Sequence, residues 1–258
     1  MSLIRLDHDG PLAILSIDSP PLNLFDRRLI DELSAMVDRL GEAPPRGLLV
    51  RAEGRVVSGG VDVHVFDGLS PEDAKAMWVS LLDLVHRVER LPLPTVFAAH
   101  SLCLTAAFEF SLGCDILLAA ESARFGLVET VVGLTPAMGG TQRLAERAGP
   151  ARARELVMTG ELYDATTLER WNVVNRVLPD DGFEQAARAF AHKLAAGPTH
   201  AHAATKAIVR ACLDHGGARA ADEQVPKLAG DLFATEDLKR AVRSFLEHGP
   251  GHATYEGR

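Results

Sequence analysis

Apolar residues recur along this chain in two alternating rhythms: short unbroken runs, and longer stripes spaced three and four apart. The runs at 12–18, 47–52, 95–99 and 116–120 have the length and flanking breaks of buried strands. Ser19-Pro20-Pro21 stops the first of them. Between the runs, Leu29, Leu33, Met36, Val37 and Leu40 form the apolar stripe of a helix over 26–40. A second helix opens at Ser70, a capping serine followed by Pro71 and the acids Glu72 and Asp73. It carries Met77, Trp78, Leu81, Val85 and Val88 to the break at Leu91-Pro92. The alternation repeats through residue 120, which predicts an α/β fold built as a spiral of similar strand–strand–helix units. Beyond Arg143 the pattern turns helical, over 151–159, 165–171, 183–195, 200–212, 218–233 and 236–245. Gly197-Pro198 is the best boundary, dividing residues 1–197 from a helical part at 198–258.

Composition narrows the function classes. The 258 residues are 47% hydrophobic and 24% charged, the balance of an ordinary globule with a substantial core. A net charge of −8 without a basic run argues against nucleic acid and anionic membrane surfaces as partners. No stretch is long and unbroken enough for a membrane span, and the first residues have no leader-like apolar segment. Three scattered cysteines with no paired spacing suit a reducing compartment, so a cytoplasmic protein is expected.

The chemistry concentrates between Thr95 and Arg143. Glu109 is the only formal charge between Arg90 and Asp115, on a helix starting near Thr105. A carboxylate in so apolar a setting is costly unless it is hydrogen-bonded or its pKa is raised. Glu129 follows after one strand and one turn, enough chain to bring it back beside Glu109. Two carboxyls converging on a dry pocket suit general acid–base work. The alternative is a solvated or paired glutamate at a helix edge. Histidines show no metal-ligand spacing, and neither a dinucleotide or phosphate loop nor a nucleophile elbow is present. Ser58 has no His/Asp partner identifiable by motif, and Lys206 with Arg210, one turn apart, reads as a solvated face or a phosphate contact.

The run 100–115, Phe125-Gly126-x-x-Glu129, and Gly133-x-x-Pro136-x-x-Gly139-Gly140-Thr141-Gln142-Arg143 resembles the core of the enoyl-CoA hydratase/isomerase (crotonase) family. Asn23, Ser58-Gly59-Gly60-Val61-Asp62-Val63, Thr159-Gly160 and Val173–Val177 extend the likeness over nearly the whole chain. It implies a crotonase-like spiral whose helical C-terminal part joins subunits into a homotrimer or a dimer of trimers. The apolar residues Leu228, Leu232, Phe233, Val242, Phe245 and Leu246 agree with such burial.

The same resemblance implies, as an expectation, an enoyl-CoA hydratase of fatty-acid and acyl-CoA metabolism. Glu109 takes the water-holding position and Glu129 the proton-delivering one. The backbone N–H groups of Val61 and Ala106 take the oxyanion-hole positions. Gly60, Val61, Asp62, Val63, His64 and Ala106 line the acyl-CoA thioester, and neither a metal nor a redox cofactor is implied, coenzyme A being part of the substrate. The chain departs from the family where Thr105-Ala106-Ala107 replaces three glycines and His100-Ser101 replaces Asn-Gly. Added methyls there narrow the hole or shift its torsions. The competing functions are an enoyl-CoA isomerase or another family enzyme acting through a CoA-thioester enolate, and an acyl-CoA binder with little turnover.

Overall fold

The run Leu12–Ile17 is buried at every position, as expected of a strand with neighbours on both sides and layers on both faces. In the computed structural model, which describes residues 2–214 and 216–258, it is the second of nine strands among the described residues. These are β1 (Ile4–Asp9), β2 (Leu12–Ile17), β3 (Gly47–Ala52), β4 (Thr95–Ala99), β5 (Cys103–Leu104), β6 (Ile116–Ala120), β7 (Arg124–Gly126), β8 (Tyr163–Asp164) and β9 (Arg176–Leu178). A six-stranded sheet runs β1-β2-β3-β4-β6-β9, and a three-stranded sheet runs β5-β7-β8. Only β1 is antiparallel in the larger sheet.

The helices are α1 (Arg27–Glu42), α2 (Pro71–Arg90), α3 (Thr105–Leu112), α4 (Gly140–Ala148), α5 (Pro150–Thr159), α6 (Ala165–Arg170), α7 (Phe183–Ala195), α8 (Thr199–Asp214), α9 (Ala218–Asp222), α10 (Val225–Asp231) and α11 (Glu236–His248). Asp26 caps α1 by accepting the Leu29 N–H, and Leu29, Leu33, Val37 and Leu40 of the expected stripe are buried. Ser70 caps α2 with Pro71 in its first turn. Asn172 takes a left-handed conformation (φ +63°) just beyond α6, where a helix ends most easily on glycine or asparagine.

The spiral is visible in a second ladder beside the main sheet. Ser58 bridges Cys103 in parallel, and β5 pairs with β7 in parallel. Three successive turns of chain are thus stacked at Ser58, Cys103-Leu104 and Phe125-Gly126. Each is followed directly by one part of the expected site: Gly60-Val61, Thr105-Ala106 with Glu109, and Glu129. This stacking brings together residues far apart in sequence.

Two expectations need correction. The helix expected over 218–233 is broken into α9, α10 and a short 3-10 turn at Leu232–Ala234. Pro226 has no N–H to give to the Asp222 carbonyl, so the hydrogen-bond ladder is interrupted at Glu223-Gln224 although both residues keep helical torsions. β1 has no counterpart in the expected elements. As an edge strand with only Ile4 fully buried, it carries too few apolar positions to show in the pattern. Gly197 and Pro198 fall between α7 and α8. The helical part is tied back to the sheet-bearing part: Lys206 of α8 bonds Asp115 at 2.9 Å.

Candidate active site

Helix α3 is the centre of the site. All eight of its residues are buried, and its N-cap Leu104 offers no side-chain partner to the first amides. Ala106, second in the helix, therefore presents an N–H that no intrahelical carbonyl can reach. Glu109 lies one turn on and is 3% exposed. Its Oε1 accepts the N–H of Met138 at 2.9 Å and of Gly140 at 2.8 Å.

The turn supplying those amides is itself anchored. Gly139 adopts φ +106°, and the Arg143 guanidinium donates to its carbonyl at 3.1 Å. Arg143 also grips Glu89 through two bonds of 2.6 and 2.7 Å, while Arg210 reaches the same carboxylate at 2.7 Å. Burial opposes ionisation of Glu89, but these two guanidinium partners hold its carboxyl below the usual range.

Glu129 opens a 3-10 turn after β7. Both its carboxyl oxygens are buried, and neither has a hydrogen-bond partner among the described residues. Such atoms are rarely left unsatisfied in a protein interior, so both oxygens keep the capacity to accept a hydrogen bond from a bound group. Burial pushes the Glu129 carboxyl up to about 7. It pushes Glu109 up to about 8, against the two amide bonds and with a further increment from the Glu129 charge. The Glu129 charge thus acts on the Glu109 carboxyl. Around neutral pH such a pair can both hold and release a proton.

The glycine turn of the other wall is fully engaged. Ser58 Oγ donates to the Asn23 carbonyl at 2.7 Å and accepts the Gly60 N–H at 3.0 Å, so this serine braces the turn. Gly60 has φ +109°, and its carbonyl accepts the Phe25 N–H. The Asp62 N–H returns to the Phe25 carbonyl. Asp62 Oδ1 accepts the His64 N–H at 3.0 Å and lies 2.6 Å from the His64 ring nitrogen. Val63 and His64 stand exposed on the short helix that follows.

The Val61 N–H, expected to be free, donates instead to Thr105 Oγ1 at 3.0 Å. Sequence reasoning had no signal for this bond beyond threonine standing where glycine is usual. The Met138 and Gly140 amides and the Arg143–Glu89–Arg210 anchor were also missed, although Gly139-Gly140 ahead of a helix was the visible clue. Lys206 and Arg210 are occupied internally. Lys206 bonds Asp115 and lies within 3.5 Å of the Val88 carbonyl and 3.4 Å of the Leu93 carbonyl. Arg210 pairs with Glu89 and Asp214. Among the described residues no cluster of histidine, cysteine and carboxylate could hold a metal ion, and no helix is long and apolar enough to cross a membrane.

Comparison with known proteins bears on the family and the fold. The family model for enoyl-CoA hydratase/isomerase matches residues 8–256. A probable enoyl-CoA hydratase of Bacillus subtilis is 31% identical over 252 residues, covering 96% of each chain. One from Rhodobacter capsulatus is 32% identical over 257 residues, covering 97% of each. An enoyl-CoA hydratase crystal structure from Bacillus anthracis superposes with a TM-score of 0.91 at 26% identity, covering 99% of this chain and 100% of the other. The spiral architecture is thus the crotonase fold, and the chain belongs to the enoyl-CoA hydratase/isomerase family.

Proposed function

We propose that this protein adds water across the double bond of a 2-enoyl-CoA to give a 3-hydroxyacyl-CoA. One observation carries the reading: two buried carboxyls with pKa values raised to about 8 and about 7, Glu109 fixed by two backbone amides and Glu129 with both oxygens unpartnered among the described residues. A water held between them has one carboxyl to take its proton as its oxygen bonds the β-carbon. The other delivers a proton to the α-carbon, so the double bond's electrons end in the new C–H bond. As that happens, negative charge passes through the thioester oxygen, and in this reading the Ala106 N–H at the helix start stabilises it.

Retention of both glutamates favours hydration over double-bond shifting, which needs one proton-transferring group. The names of the relatives as probable enoyl-CoA hydratases support the same choice. Nothing in this scheme calls for a metal or redox cofactor. Assembly as a homotrimer or dimer of trimers is part of the proposal, supported by the exposed Phe233, Val242, Phe245 and Leu246 on the last helices. A cytoplasmic setting is supported by three free cysteines, of which Cys103 and Cys114 are buried.

The test is incubation of the purified protein with a 2-enoyl-CoA, followed by mass spectrometry of the thioester. Gain of one water is expected. A product of unchanged mass with a shifted double bond would make it an isomerase, and tight binding with unchanged substrate would make it a binder.

A further inference from the structure

Thr105 is the anomaly of the site. It is the first residue of α3, it is 7% exposed, and it is a β-branched residue held at φ +44°. That region is strained for such a side chain and easy for glycine. Backbone strain of this kind persists where the surroundings enforce it, and an observed outlier is grounds for asking what it accomplishes. Here it aims a hydroxyl into the space between the two walls of the site. Thr105 Oγ1 accepts the Val61 N–H at 3.0 Å. The fit is close, because a Cβ on Gly60 would stand 2.7 Å from the same oxygen.

A hydroxyl has one hydrogen to donate as well as lone pairs to accept. Among the described residues, none accepts the Thr105 hydroxyl hydrogen, so it is free to turn toward a ligand. A donor whose own oxygen accepts an N–H is polarised, and donates more strongly for it.

We propose that Thr105 is a catalytic residue that relays the Val61 N–H to the substrate. Val61 N–H donates to Oγ1, and Oγ1–H donates to the thioester oxygen alongside the Ala106 N–H. The oxyanion hole then has one backbone donor and one side-chain donor, and the oxygen sits one hydroxyl further from Val61 than a direct contact would place it. No bond is made or broken at Thr105. It stabilises the charge that develops on the oxygen and returns to rest as the α-carbon is protonated. The alternative is that the hydroxyl merely fills the hole and must swing away before the substrate oxygen can enter.

The inference rests on the acyl-CoA reading of the site, and its test separates the two. Butanoyl-CoA labelled with carbon-13 at the carbonyl cannot be hydrated, so its bound infrared carbonyl stretch reports polarisation without turnover. The wild-type protein should bind it and lower the stretch. Thr105→Ser should keep that shift and most of the hydration rate. Thr105→Ala should weaken the shift and lower kcat by about tenfold or more, with KM changed far less. A stretch unmoved by Thr105→Ala, or an alanine variant that hydrates faster than wild type, overturns the relay while leaving the hydratase reading intact. Equal losses in the serine and alanine variants overturn it too, since the hydroxyl would not be the cause. Failure of the wild-type protein to bind the thioester overturns both.

Discussion

Glu109 Oε1 accepts the Gly140 N–H at 2.8 Å, and a Cβ on Gly140 would stand 2.7 Å from Glu109 Cγ. The bond and the missing side chain are one requirement, because the amide reaches the carboxyl only where no methyl intervenes. Gly140→Ala should therefore displace Glu109 or the turn that holds it. The expected cost is about 1–3 kcal/mol of stability, with turnover down by about a hundredfold from the misplaced carboxyl. Denaturant unfolding and a hydration assay on the same preparation check this. An alanine variant matching wild type in both would remove the Gly140 amide from the account.

The buried pair also makes stability depend on pH, with a definite sign. Both carboxyls have native pKa values, about 8 for Glu109 and about 7 for Glu129, above the ordinary 4.5. Between those limits the native state holds protons that the unfolded state has lost. Their contribution is present in full below the unfolded value and disappears as pH rises through 7 to 8. Each carboxyl can contribute up to about 1.4 kcal/mol per pH unit in that window. Glu109→Gln removes one of them. The stability of the glutamine variant relative to wild type should rise steadily from pH 5 to pH 8. A difference that stays flat across the range would mean that Glu109 is not held protonated by burial.

Lys206 and Arg210 were legible in sequence as a pair of cations one turn apart, open to solvent or to a phosphate. The structure ties Lys206 to Asp115 at 2.9 Å, with Lys206 14% and Asp115 28% exposed in the side chain. Asp115 also accepts the Thr95 N–H and hydroxyl. Lys206→Met should thus lower stability by about 1.5–3 kcal/mol, through loss of the clamp between α8 and the end of α3. Acyl-CoA affinity should stay close to wild type. A large rise in KM without loss of stability would return Lys206 to the substrate site.

How much was readable follows from what a one-dimensional pattern can carry. Stripes such as Leu29, Leu33, Val37 and Leu40 announce a helix because burial repeats with its period. The unbroken run Leu12–Ile17 announces a central strand. Glu109 stood out because nothing charged surrounds it, and Glu129 because the Phe-Gly-x-x-Glu spacing matched a known family. By contrast, two-residue strands such as Cys103–Leu104 have no period to detect. The bond from Val61 to Thr105 spans two turns of the spiral and depends on a torsion of +44° at threonine. Stacking of Ser58 on Cys103 brings the two residues within reach. Sequence identified the departure from glycine there, and the structure shows what occupies the space.

The central claim is that Glu109 and Glu129 work on one water, and hydration rates of Glu109→Gln, Glu129→Gln and the double variant test it most directly. Each glutamine keeps the shape of the side chain but cannot pass a proton near neutral pH. Each single change should lower turnover by roughly a hundredfold to ten-thousandfold. The double change should cost far less than the product of the two, as befits groups acting as one unit. A Glu109→Gln protein that hydrates a 2-enoyl-CoA as fast as wild type would contradict the account.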